Sequence, residues 1–104
     1  MKKIAFVILT WNSSDYIEKC INSINTISNF TTQIIIIDNG SKDKTIEILK
    51  KYKKIMTNLN VVYLSKNMGT TESRNIGLKL VVWNSIYIFN FCLPKGAPNI
   101  SEFL

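Results

Sequence analysis

The sequence predicts an α/β fold, a Rossmann-like parallel sheet of about four strands with three helices, and three observations predict it. Apolar runs of strand length alternate with stretches of helical periodicity. Each crossover is long enough for a right-handed parallel connection. The run Ile34-Ile35-Ile36-Ile37 has no polar alternation, so both of its faces must be covered, as in a parallel sheet flanked by helices.

Ile4 to Leu9 forms the first strand. Thr10-Trp11-Asn12-Ser13-Ser14 breaks it and offers N-caps, so a helix is expected from Ser14 or Asp15. Ile17, Cys20, Ile21, Ile24 and Ile27 recur at three- and four-residue spacing, one apolar stripe for a sheet. After Asn29 to Thr32 the second strand runs through the isoleucines and stops at Asp38. Asn39-Gly40 supplies a tight turn, because both residues tolerate positive φ, and Ser41 is a good N-cap for the second helix.

Along that helix Ile46, Leu49, Tyr52 and Ile55 or Met56 repeat at helical spacing, with lysines on the other face. Asp43, in its first turn, suits the positive end of the helix dipole. Asn58-Leu59-Asn60 breaks the helix, and Val61 to Leu64 is a third strand rich in β-formers. The loop Lys66 to Thr71 leads into a third helix with a stripe of Ile76, Leu80 and Trp83, where Gly77 lets the helix lie close to the sheet. Ile86 to Cys92 is the last strand, and Pro94, Gly96 and Pro98 end regular structure.

The 104 residues suit one domain over 1–104 with a single core. A formal charge of +6 favours an anionic partner. Lys42, Lys44, Lys50, Lys51, Lys53 and Lys54 crowd the second helix, where the first reading is a solvated face and the second is attraction to a membrane surface. Nucleic acid is not implied. Histidine is absent, which removes the usual zinc ligand and neutral-pH base. Cys20 and Cys92 form no CxxC, so both are expected reduced, with Cys20 in the core. Lys2-Lys3 and the short run after it lack a cleavage site, and Leu80 to Leu93 is interrupted by Asn84, Ser85 and Asn90, so a soluble or peripheral chain is favoured.

The polar residues fall where a parallel sheet binds ligands: Thr10, Trp11 and Asn12 after the first strand, Asp38 after the second, Asn67 to Arg74 after the third. Taken singly, Asp38 could cap a turn, Trp11 could be core, and Arg74 could serve a surface ion pair. Their coincidence at one sheet edge suggests a nucleotide: a carboxylate for base N–H or ribose hydroxyls, an indole to stack, a guanidinium for phosphate. No GxGxxG follows the first strand, which weighs against a dinucleotide oxidoreductase.

These residues resemble the family 2 glycosyltransferases of GT-A fold. Thr10-Trp11-Asn12 is similar to the family's first element, Asp38-Asn39-Gly40-Ser41-Lys42-Asp43-Lys44-Thr45 to its Asp-Asn/Asp-Gly-Ser-x-Asp-x-Thr, and Asn67-Met68-Gly69 with Arg74-Asn75-Ile76-Gly77 to its Asn-x-Gly and Arg-Asn-x-Gly. The resemblance implies a nucleotide-diphospho-sugar donor, most readily of uridine type. Asp38 would contact base and ribose, with Trp11 beside the base, Thr10 and Asn12 in the same pocket, Arg74 approaching the nucleotide, and Asn67 with Gly69 shaping the wall. Asp43 looks structural.

The family's Asp-x-Asp, which holds Mg or Mn on the diphosphate, would fall at Cys92-Leu93-Pro94, where hard-cation ligands are missing. No metal or cofactor is therefore expected for this chain. The acceptor-binding half of the family is also missing, so the resemblance implies a truncated, nucleotide-binding N-terminal half of a GT-A fold that binds a donor without transferring the sugar. It implies a cytoplasmic protein, peripheral to the membrane in one reading. The alternative is a noncatalytic remnant or interaction module that forms a homodimer to cover its unfinished sheet edge.

Overall fold

A computed structural model describes residues 2–26, 30–81 and 86–92, the last segment together with residues 2 and 30 as backbone alone. Strands β1 (Lys2–Thr10), β2 (Phe30–Asp38), β3 (Leu59–Tyr63) and β4 (Ile86–Cys92) alternate with helices α1 (Ile17–Asn25), α2 (Thr45–Ile55) and α3 (Gly69–Lys79). All pairings are parallel, in the order β3-β2-β1-β4. The chain steps outward from β1 to β3 and then crosses back to β4. The reversal makes the carboxyl ends of β1 and β4 a topological switch point, where sheets of this kind bind ligands.

Because side chains alternate along a strand, β1 and β2 divide their apolar residues between two cores. Ile4, Phe6, Ile8, Ile34 and Ile36 pack beneath α1 and α2, against Ile17, Ile21, Ile24 and Leu49. Val7, Leu9, Ile35 and Ile37 form the other core with Ile76 of α3. All four consecutive isoleucines are fully buried, as their unbroken run predicts. On the α3 side the approach is close. A Cβ at Gly77 would lie 2.5 Å from Val7 Cγ1, so the glycine sets how near α3 comes to the sheet.

Several boundaries differ from the sequence reading, each for a physical reason. β1 and β2 extend through polar residues because they pair in register from Lys2 with Phe30 to Thr10 with Asp38, so ladder hydrogen bonds override composition. α1 begins at Ile17, after a turn in which Ser13 O accepts from the Tyr16 and Ile17 amides. Ser41 is not the cap of α2. Its hydroxyl and amide are drawn to Asp38 instead, and α2 begins at Thr45.

The buried stripe of α2 runs through Ile48, Leu49, Tyr52 and Met56, leaving Ile55 68% exposed. Leu80 is exposed beyond the end of α3, while Ile27 and Trp83 lie outside the described residues. Cys20 packs half-buried against the core as expected, but it is disulfide-bonded rather than a free thiol.

Candidate functional site

Strand register places Tyr63, Asp38, Thr10 and Cys92 in one row along the carboxyl edge of the sheet. Asp38 and Thr10 are fully buried there, and Tyr63 stands exposed at the flank. Asp38 Oδ2 accepts the Ser41 amide at 2.9 Å, and Oδ1 accepts the Ser41 hydroxyl. The carboxylate therefore folds its own turn, as aspartates do at such positions. An ionised carboxylate has about four lone-pair sites, so these bonds fill about two of them. Burial, and then the Asp38 charge, push the Tyr63 phenol above its usual pKa.

The residues after Asp38 tie the neighbouring loops together. Asn12 adopts a left-handed backbone, φ 47°, which asparagine tolerates better than most residues. Its amide donates to Ser41 Oγ at 2.9 Å, and its Oδ1 accepts from the Lys42 amide at 2.8 Å. One residue on, the Ser13 amide donates to Thr45 Oγ1 at 2.9 Å.

Asp43 spans both helix starts, accepting the Ser14 amide at 3.1 Å and the Thr45 amide at 2.9 Å. Desolvation acts to raise its pKa, but the hydrogen bonds from Thr45 and Ser14 outweigh it and hold the group below the usual carboxylate range. Asp43 is structural, but it stands ahead of α2, two residues before Thr45, rather than in the helix's first turn.

Asn39 makes the third connection. Its amide donates to Thr10 O at 2.9 Å. Its fully buried side chain reaches the start of α3, where Oδ1 accepts from the Met68 amide at 3.2 Å and the Ser73 hydroxyl at 2.7 Å. Among the described residues, its Nδ2 is a buried donor left without a partner. Gly40, at φ 78°, brings this turn against the backbone of Lys66: an added Cβ would stand 2.9 Å from Lys66 Cα. Asn67 Oδ1 accepts the Gly69 amide at 2.8 Å, and Gly69, at φ 79°, opens α3.

Thr10, Asn12 and Asp38 thus belong to one hydrogen-bonded unit, which Asn39 joins to the Asn67-to-Gly69 loop. Trp11 is half-buried in the first loop, its carbonyl accepting from Ser13 Oγ. Arg74 is exposed on α3, five residues past Gly69 and so roughly 7.5 Å along the helix axis, farther from the loop than expected. The sequence reading missed Asn39 and Ser41 as the connectors. Their signal was present, since two small polar residues flank a glycine directly after a buried strand, but it was read as turn and cap chemistry.

Among the described residues, the edge offers hydrogen-bond acceptors and an indole, and no group of three or more carboxylate or thiol side chains stands together there. Asp38 and Asp43 each accept protein hydrogen bonds at both carboxylate oxygens, β4 ends in Cys92, and Leu93 and Pro94 lie outside the described residues.

Comparison with known proteins gives consistent matches. The family model described as glycosyl transferase family 2 matches residues 5–89. The poly(ribitol-phosphate) beta-N-acetylglucosaminyltransferase TarS of Staphylococcus aureus is 32% identical over 98% of this chain and 19% of its own length. A poly(ribitol-phosphate) beta-glucosyltransferase of Bacillus spizizenii is 35% identical over 75% of this chain and 13% of its own. The structure superposes on TarS residues 1–349 in complex with UDP with a TM-score of 0.70 and 29% identity, covering 86% of this chain and 27% of that one. TarS has also been solved with UDP-GlcNAc. The chain therefore spans less than a third of the length of these relatives, and its α/β sheet is the GT-A arrangement that TarS carries.

Proposed function

The chain belongs to glycosyl transferase family 2, and from that premise we propose that its carboxyl sheet edge binds the nucleotide of a uridine diphospho-sugar donor, for transfer to a glycan or lipid-linked acceptor. The observation that carries this reading is the single hydrogen-bonded unit of Thr10, Asn12, Asp38 and Asn39, beside the switch point where ligands of such sheets bind. The complexes of TarS with UDP and UDP-GlcNAc support the class of ligand.

In this reading Asp38 accepts from a base N–H or the ribose hydroxyls once the Ser41 turn shifts. Trp11 lies along the base, and Thr10 and Asn12 close the pocket floor. Asn67 and Gly69 form the wall, and Arg74 swings its long side chain toward the phosphates. The chain binds donor by these contacts and does not transfer the sugar by itself, because the end of β4 supplies no carboxylate. It works in the cytoplasm, the source of nucleotide-sugar donors.

Isothermal titration with UDP tests the reading. Saturable heat is expected, weakened at least tenfold in Trp11→Ala, about 1.4 kcal/mol of binding free energy. Absence of heat at millimolar UDP would defeat it, and turnover of UDP-sugar by the chain alone would defeat its second part.

A further inference from the structure

We propose that the outer flank of α2, formed by Lys50, Lys51, Lys54 and Ile55, docks on an anionic lipid surface. The proposal is independent of the nucleotide reading. It begins with a mismatch in α2: the helix buries Leu49 and packs Ile48, Tyr52 and Met56 inward, yet it ends on an isoleucine that belongs to neither core and is 68% exposed. Lys51, Lys54 and Ile55 follow at three- and four-residue spacing, so they share one stripe, with Lys50 beside it. A row of ammonium groups with an apolar side chain at its end matches what an interfacial helix presents to headgroups and to the acyl boundary below them.

Among the described residues the charge on this flank is only partly offset, by Glu47, four residues before Lys51, and by Glu18. Residues 42–55 hold six lysines against two carboxylates, Asp43 and Glu47, and so carry most of the overall excess of +6. Asp43 is turned toward the helix starts, bonded to Ser14 and Thr45. The Lys51–Glu18 pair is 3.6 Å apart with both side chains about half exposed or more, a contact that water and salt screen. Lys50 lies 5.9 Å from the Tyr63 ring centre and Lys51 5.6 Å from that of Tyr52, which steadies the ammoniums on the flank without cancelling them. Lys53 is committed elsewhere, donating to Leu59 O at 2.6 Å.

Two features favour lipid over nucleic acid. The chain has a single arginine, Arg74, and it is on α3, so the flank has no planar fork for phosphodiesters or bases. An exposed isoleucine serves a hydrocarbon boundary and has no counterpart in a phosphate backbone. The first turn of α2 lies at the carboxyl edge that holds Asp38, and Lys50 reaches Tyr63 at the end of the same row, so a docked helix side borders that edge.

Vesicle co-sedimentation of the whole chain tests the proposal, with phosphatidylcholine vesicles compared against phosphatidylcholine–phosphatidylglycerol mixtures. Binding is expected to the anionic mixture alone. It should weaken as salt shortens the Debye length from about 8 Å at physiological strength toward about 3 Å at molar salt. Each lysine near an anionic surface contributes about 1 kcal/mol, so Lys51→Ala with Lys54→Ala should bind roughly 25-fold more weakly. Ile55→Ser should remove most of the binding that survives high salt.

Circular dichroism checks that the variants fold, and the lipid and salt comparisons on the unaltered chain need no variant. Equal binding to neutral and anionic vesicles, no binding to either, or tighter binding to duplex DNA at equal phosphate would overturn the proposal.

Discussion

Asp38, which the sequence marks as a ligand contact, is fully buried and is first a structural residue: both oxygens hold Ser41, and Ser41 holds Asn12. Under the proposed nucleotide reading, binding and folding would share the same atoms at this edge. Gly40 shows how little tolerance the arrangement has. At φ 78°, with Lys66 Cα 2.9 Å from where a Cβ would stand, Gly40→Ala must strain the backbone and displace the neighbouring loop. A loss of about 1–3 kcal/mol in denaturant unfolding is expected.

Asp43 gives a pH signature. Its folded pKa is held below the ordinary 3.8, so its contribution is complete above that value and is lost as pH falls through the lowered folded one. Asp43→Asn should be less stable than the parent at neutral pH, with the gap closing across the acid range when midpoints are measured at a series of pH values. A gap that stays constant with pH would show that the charge does not matter.

Among the elements, every strand and helix was legible from apolar periodicity, and Ile86 to Cys92 was legible to the residue. What could not be read was the competition between equal candidates. Ile46 and Ile48, or Ile55 and Met56, fit a helical stripe about equally by spacing, and only the sheet beneath α2 selects Ile48 and Met56. Ser41 was likewise a sound cap by residue type, and Asp38, three residues earlier, outcompeted the helix for it. Of the site, the three loops and their common edge were readable; the cross-links through Asn39 were not, because they join residues about thirty apart in sequence.

Gly77 was expected to allow close packing, and Val7 Cγ1 lies 2.5 Å from where its Cβ would be. Gly77→Ala should force α3 off the sheet or Val7 out of its rotamer, costing about 1–3 kcal/mol by thermal or chemical unfolding. Val7→Ala in the same background should recover part of it, since the two changes share one contact.

For the whole molecule, the β3-β2-β1-β4 order puts the reversal point, the motif after β2 and the start of α3 on one side of the sheet. α2 faces outward from the other layer with its lysines. The polar carboxyl edge and the basic flank thus adjoin at Tyr63 and Lys50. Amide-resolved NMR titration with UDP follows ligand binding at the carboxyl edge residue by residue. Saturable shifts are expected, concentrated in residues 10–13, 38–43 and 66–74, with the body of α1 and the last turns of α2 unmoved. Shifts that spread evenly over the chain, or none at millimolar UDP, would contradict the proposed binding there.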